Sequence, residues 1–257
     1  MAKKNKEKWI LNPGNILFFA LLAFFLFVLA VLSFVMRIEG DLAGRIVLSV
    51  MCAMTTVGFF IYKYWLSIDK EYSELKASKG MGEFNWWGEL PLQLCNINML
   101  FIPFAVLFQI RALEAFCFFS APLGALMALI MPGKEFENFS ILLPRMIGFF
   151  GTHFMILIEG LAIMTFGLYR PAFTDILPAL LTALLILFCI SVINMLMRWT
   201  GIYPNANYFF SIETEGNFFL EIFHKWIPVP FLYMTPCILI LAVYMVLFIG
   251  LFSLFSA

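Results

Sequence analysis

The sequence predicts an all-α, polytopic membrane bundle: a single integral domain over residues 1–257, with seven transmembrane helices, N-terminus inside and C-terminus outside. Three observations carry this reading. The chain is 63% hydrophobic and 12% charged, with a mean hydropathy of +0.96, whereas about a quarter of the residues of a soluble domain are charged. Its apolar residues gather into runs long enough to cross a hydrocarbon core of about 30 Å. Its Lys and Arg divide unevenly between the loops that those runs define. The formal net charge is zero, which leaves no basic nucleic-acid surface, so no nucleic-acid partner is expected.

The runs fall at residues 16–36, 46–66, 90–110, 112–131, 142–168, 176–198 and 229–256. The first follows Lys3, Lys4, Lys6 and Lys8, as a signal peptide would. It is too long for a signal core, and no small-x-small cleavage site follows, so it reads as an uncleaved first span. With the N-terminus inside, the inner side holds those lysines plus Lys63, Lys70, Lys76, Lys79, Lys134, Arg145, Arg198 and Lys225. The outer side holds only Arg37, Arg45, Arg111 and Arg170. Positive charge concentrates on the cytoplasmic side of membrane proteins, which sets the orientation and predicts a multi-pass cell-membrane protein with a cytoplasmic N-terminus.

Taken in order, the first span has neither Gly nor Pro between Ile16 and Met36 and serves as an anchor. The short link from Arg37 to Arg45 sets the first two spans side by side. Loop 67–89 mixes Lys with Glu and reads as a solvated inner face with a short interfacial helix, ending in Trp86-Trp87 at the aromatic belt. Only Arg111 and its neighbours join the third and fourth spans. The fourth carries Ser120, Gly124 and Ala128 at intervals of four, a small-residue stripe for close helix packing, and Pro132-Gly133 ends it. The sequon Asn138-Phe139-Ser140 falls on an inner loop, out of reach of glycosylation. The fifth span holds His153 and Glu159, which lie about 240° apart round a helix at 100° per residue, so no partner for Glu159 is evident. The sixth ends near Asn194, and a loop containing Tyr203-Pro204-Asn205-Ala206-Asn207-Tyr208 follows, expected to be largely solvated, with His224 on the surface. The seventh carries no charge, and no internal repeat is visible.

The stretch Trp86 to Asn98 departs from a plain span. Glu89, Gln93, Cys95, Asn96 and Asn98 enter an apolar run, where an unpartnered polar group costs roughly 2–7 kcal/mol. On a continuous helix, Pro91, Cys95 and Asn98 share one face, and Glu89, Gln93 and Asn96 share the adjoining one. Such clusters mark binding or catalytic sites, with polar glue between helices as the alternative. The five cysteines are scattered, form no CxxC and predict no disulfide framework. Only Cys95 has polar neighbours. No phosphate loop, GxSxG, HExxH or dinucleotide fingerprint is present, since Gly80-Met81-Gly82 stands alone. Two distant histidines give no metal spacing, so neither a metal nor a cofactor is expected. What remains is a thiol and an imidazole, with His153 either a general base or a structural hydrogen-bonding group. At about 1.5 Å per residue, Cys95 lies about 8 Å past Leu90 and His153 about 12 Å past Arg145, both in the inner half.

Glu89-Leu90-Pro91-Leu92-Gln93-Leu94-Cys95, the later His153 and Asn205-Ala206-Asn207-Tyr208 resemble the YwaF-like integral membrane proteins of bacteria from about Trp86 to Pro230. Gln93 stands where that family commonly has His, and Pro204-Asn205 where Gly is usual, which removes a second base or ligand. The family is similar to an animal transmembrane phospholipid acyltransferase using a membrane cysteine. It is more distantly similar to androgen-induced-gene-type lipid hydrolases, whose Thr-x-x-Asn pattern Cys95-Asn96-Ile97-Asn98 matches with Cys for Thr. The resemblance implies Cys95 as nucleophile, His153 as base and Asn98 as support, with Glu89, Gln93, Asn96, Asn194, Asn207 and Tyr208 around a membrane-lipid substrate. The expected function is an intramembrane lipid acyltransferase or lipid ester hydrolase. The alternative is a transporter or binding protein for a lipid or small molecule, using the same polar cluster.

Overall fold

The computed structural model describes residues 9–78, 83–133, 136 and 138–256. Lys3, Lys4, Lys6, Lys8, Lys79, Lys134 and Gly80-Met81-Gly82 lie outside the described residues. The α-helices are α1 (Ile16–Glu39), α2 (Asp41–Ile68), α3 (Lys70–Ser78), α4 (Leu94–Leu107), α5 (Arg111–Ile130), α6 (Pro144–Thr165), α7 (Ile176–Trp199), α8 (Phe218–Trp226) and α9 (Thr235–Ser256). A two-residue antiparallel ribbon, β1 (Ile10–Leu11) with β2 (Phe139–Ser140), sets Ile10 opposite Ser140. Helices α1, α2, α5, α6, α7 and α9 are each long and apolar enough to cross a membrane. The fold is helical because a bilayer offers no water to unpaired backbone groups, and a helix pairs them within itself.

The third expected span is shorter than the sequence reading. Its helix, α4, has 14 residues, about 21 Å of rise against a core of about 30 Å. The helix starts at Leu94, four residues late, and the cause is Pro91. A proline disfavours helical torsions in the residue before it, and here the Leu92 N–H donates to the Leu90 carbonyl at 2.7 Å, a tight turn centred on Pro91. Glu89 and Pro91 are therefore not on a helical face, and Gln93 is the N-cap residue. At the far end Gln109 takes φ 54° and the Ile110 N–H reaches back to the Ala105 carbonyl at 3.0 Å, closing α4 in a left-handed cap.

Helices α2, α4, α5 and α6 pack together at the centre, with α1, α7 and α9 outside them. Close approach depends on glycine. A Cβ at Gly160 would sit 2.7 Å from Pro122 Cδ and 2.8 Å from Ala121 Cβ, and one at Gly148 would enter the Tyr62 ring. The expected stripe on α5 does face a helix: the Ser120 hydroxyl donates to Asn98 Oδ1 at 3.0 Å, and Gly124 packs on Cys95. Helix α1 is joined to α6 by Phe25 stacking on Phe154 at 4.9 Å and by the Ser33 hydroxyl donating to Thr165.

Charge separates to two ends. At one, the Arg45 guanidinium donates to the Val106 carbonyl at 2.5 Å, to Glu114 at 3.2 Å and to Asp41 at 2.8 Å. There too Arg111 pairs with Asp175 at 2.7 Å, and the Tyr169 hydroxyl donates to the same carboxylate. At the other end, Lys63 meets Glu89 at 2.5 Å, Lys76 approaches it at 4.0 Å, and Arg198 meets Glu213 at 2.9 Å. Arg45 and Lys63 both belong to α2, about 27 Å apart at about 1.5 Å per residue. The segment from Glu89 to Val106 is thus tied at both ends to opposite ends of α2. The loop after α7 is not the solvated stretch that its polar residues predict: Ala206, Asn207, Tyr208, Phe209 and Ser211 are all buried.

Candidate functional site

The two motif segments meet. The lead-in to α4 supplies Trp87, Gly88 and Gln93, and the loop after α7 supplies Tyr203, Tyr208 and Phe209. The Tyr208 hydroxyl donates to the Trp87 carbonyl. The Phe209 N–H donates to Gln93 Oε1 at 2.8 Å. Tyr203 packs so closely on Gly88 that a Cβ there would lie 2.6 Å from its hydroxyl oxygen. Gln93 thus spends its side chain across the interface, and no side chain caps α4.

Asn194 holds the loop. Its Nδ2 donates to the Tyr208 carbonyl at 2.8 Å and to Ser211 Oγ at 2.9 Å, and its Oδ1 accepts from the Tyr208 N–H at 2.9 Å. Asn207, within the loop, does the same for the residues after it, donating to the Glu213 carbonyl and the Glu215 carboxyl and accepting from the Ile212 and Glu213 N–H groups. Burial raises Glu215 above the usual carboxylate range, and the Asn207 hydrogen bond offsets part of that. Phe209 and Phe210 sit at φ 60° and 53°, a left-handed conformation that these anchors stabilise against a cost of about 1–2 kcal/mol per residue.

Cys95 lies in the uncapped first turn of α4 and is partly exposed. Its own N–H, that of Asn96 and the Lys63 ammonium are the positive groups around the thiol. Asn98, one turn on, is fully buried; its Nδ2 donates to the Leu94 carbonyl at 2.7 Å and its Oδ1 accepts from Ser120. Asn96 has a buried Oδ1 with no hydrogen-bond partner. The Glu89 carboxylate is held by Lys63 and Lys76.

His153 is buried on α6. Its Nδ1 lies 2.8 Å from the Phe149 carbonyl. A carbonyl can only accept, so Nδ1 carries the proton and Nε2 the lone pair. The ring packs on Phe149, with centroids 4.5 Å apart. No hydrogen bond joins His153 to Cys95 among the described residues, although the Lys63 charge acts on both. Glu159 has a partner that the sequence did not reveal: Thr55 Oγ1 on α2, at 2.5 Å. Among the described residues, no group of three or more His, Cys, Asp or Glu is arranged to hold a metal.

In the sequence Lys63 reads only as a topological charge, and Thr55 and Ser211 carry no signal. Lys63 was findable: it sits at the end of an apolar run that continues to Leu66, where a lysine buries its stem and reaches for a partner.

A family model described as TMEM164 family matches residues 10–254, and the chain belongs to that family. No curated protein and no solved structure matches it.

Proposed function

We propose that this member of the TMEM164 family is an intramembrane lipid enzyme, an acyltransferase or ester hydrolase working through an acyl-Cys95 intermediate. The observation that carries the reading is the position of Cys95. Of the five cysteines, it is the one whose thiol, in the first turn of a helix, has its own N–H, the Asn96 N–H and the Lys63 ammonium around it, and it depends on a base to take its proton. The resemblance to cysteine acyltransferases points to the same residue.

In the proposed reaction the thiol proton passes to His153 Nε2 as Sγ attacks the ester carbonyl of a lipid. The tetrahedral intermediate collapses, the alkoxide leaves with the proton from the imidazolium, and a thioester remains on Cys95. An acceptor alcohol or water then attacks the thioester, with His153 again taking and returning the proton. The Nδ1 bond to Phe149 supports this role by keeping Nε2 unprotonated. Asn96, through its Nδ2 donor, is the group we assign to the developing oxyanion. Asn98 positions α4 through Ser120, and Gln93, Asn194, Asn207 and Tyr208 position the lead-in. Glu89 fixes Lys63.

We also propose seven crossings with the N-terminus cytoplasmic. Strands β1 and β2 pair, so they share one side of the membrane, and an even number of crossings separates them. Helices α1, α2 and α5 supply three. The Glu89–Val106 segment, tied to α2 at both ends, supplies the fourth. The Lys and Arg bias then sets the orientation.

The test is mass spectrometry of purified protein incubated with phospholipid. The expected result is a hydroxylamine-labile acyl group on Cys95, absent in Cys95→Ala and in a folded His153→Gln variant. If Cys95 stays unmodified while lipid binds or crosses vesicles, the enzyme reading falls and the transporter reading replaces it.

A further inference from the structure

Helix α8 has nine residues, about 13 Å of rise, too short to cross a membrane. Its sequence, Phe218-Phe219-Leu220-Glu221-Ile222-Phe223-His224-Lys225-Trp226, divides it into three faces at about 100° per residue. Leu220 and Phe223 are buried together with Tyr233. Glu221, His224 and Lys225 share a polar face. The third face, an arc of about 100°, holds Phe218, Ile222, Trp226 and Phe219. The fold leaves that face open, with Phe218 63% and Trp226 72% exposed. A helix that shows water two Phe and a Trp on one side calls for an apolar surface to receive them.

The contacts of α8 set its depth. It packs on the turn Leu232–Met234, which runs without a break into α9 at Thr235. His224 stands edge-on to the Tyr233 ring, with centroids 5.3 Å apart. Helix α8 therefore lies level with the end of a spanning helix, where the chain passes between headgroups and hydrocarbon. The exposed apolar surface continues along the chain through Val229 and Leu232 to Leu239 on α9. Aromatic side chains on one face and a lysine at its edge, at that level, describe a helix seated in the membrane interface. We propose that α8 lies in the plane of the membrane surface, with Phe218, Phe219, Ile222 and Trp226 among the acyl chains and Glu221 and Lys225 among the headgroups. The seat holds more than α8. The Thr214 hydroxyl donates to Glu221, the Tyr233 hydroxyl to the Phe210 carbonyl, and the Phe231 N–H to the Ser211 carbonyl at 2.6 Å. The buried loop that braces the start of α4 is thus tied, on its other side, to a helix resting in lipid. The seat is independent of the chemistry assigned to Cys95, and its test reads position alone.

Tryptophan fluorescence of the full chain in phosphatidylcholine vesicles is the test. Subtracting the emission of Trp226→Phe from that of the wild type isolates Trp226. The quenchers are aqueous iodide and phosphatidylcholine brominated either near the headgroup end of its chains or near their tips. Trp226 should lose most of its emission to the first lipid, less to the second and little to iodide. Phe218→Glu, which sets a charge in the apolar arc, should shift quenching of Trp226 from bromine towards iodide. Quenching by iodide and not by bromine places the face in water, and quenching by neither places it against protein, such as a second copy of the chain. Stronger quenching from the chain tips places it too deep for a helix lying in the interface. Each of these three results, or a Phe218→Glu variant that quenches as the wild type does, overturns the proposal. Trp226→Phe keeps an aromatic ring at its position, so the wild-type comparison decides the matter should Phe218→Glu fail to fold.

Discussion

Removing the Asn194 amide should loosen the loop after α7 and, through it, the start of α4. Asn194 is fully buried and makes three hydrogen bonds to Tyr208 and Ser211, between 2.8 and 2.9 Å. At about 1 kcal/mol each, Asn194→Ala forfeits about 3 kcal/mol, and a Tyr208 N–H left buried without a partner adds about 1 kcal/mol or more. The left-handed torsions of Phe209 and Phe210 then lose their anchor, and with them the Phe209 N–H that holds Gln93. Asn194→Asp separates hydrogen bonding from volume: it sets an oxygen against the Tyr208 carbonyl, so at neutral pH it should do no better than Ala. Equilibrium unfolding in mixed micelles measures the loss, and limited proteolysis across residues 200–217 localises it. Labelling of Cys95 should change in rate, because its helix start is held through Gln93. A loss below about 1 kcal/mol with unaltered loop protection would refute the reasoning, since three buried hydrogen bonds cannot vanish at that price.

Two further outcomes are expected. Glu114 is 5% exposed against Arg45, whereas Asp41, the other carboxylate on that arginine, has a side chain 60% exposed. Glu114→Gln should therefore destabilise by about 2–3 kcal/mol, and Asp41→Asn by less than about 1 kcal/mol; equal losses in the same unfolding assay would contradict this. Thr55 has one hydroxyl hydrogen but lies 3.1 Å from the Met51 carbonyl and 2.5 Å from Glu159 Oε1, while Oε2 is buried and unpartnered. One proton serves both contacts only if Glu159 donates the second. Glu159→Gln should thus be nearly neutral in stability and should abolish a protonated-carboxyl band in the infrared difference spectrum; a loss as large as that of Glu159→Ala would show the carboxyl to be charged.

The helices were legible because a bilayer rewards long apolar runs whatever their neighbours, and the turn at Gly40, at φ 96°, falls where the apolar pattern breaks. The length of α4 was not legible from hydropathy. Leu90 and Leu92 count as apolar in any window, and only the local effect of Pro91 shows that they stand outside the helix. The buried loop was misread for a related reason. Asn194, Asn207 and Ser211 look like solvated groups until the pairing that satisfies them is known: Asn194 joins Tyr208 and Ser211 across 14 and 17 residues, and Asn207 turns the chain back on itself to reach Ile212, Glu213 and Glu215. The union of the 86–93 and 203–211 segments is likewise a tertiary fact, carried by Tyr208 reaching Trp87 and by Gln93 reaching Phe209. Cys95 and His153 stood out by residue type alone, but residue type carries no distance, and their hydrogen-bond partners lie elsewhere.

The ribbon between Ile10–Leu11 and Phe139–Ser140 also bears on how the chain is made. Strand β1 is synthesised early, yet its partner follows only after α1, α2, α4 and α5. At about 5–20 residues per second, the ribosome takes on the order of 10 s to reach β2, and through that interval β1 has no strand to pair with. Asn12 waits as well, since its side chain exchanges two hydrogen bonds with Asn138. Closure of the ribbon therefore marks a late checkpoint in biogenesis. A nascent chain arrested before residue 138 retains its first helices without the clasp that ties the segment before α1 to the segment before α6.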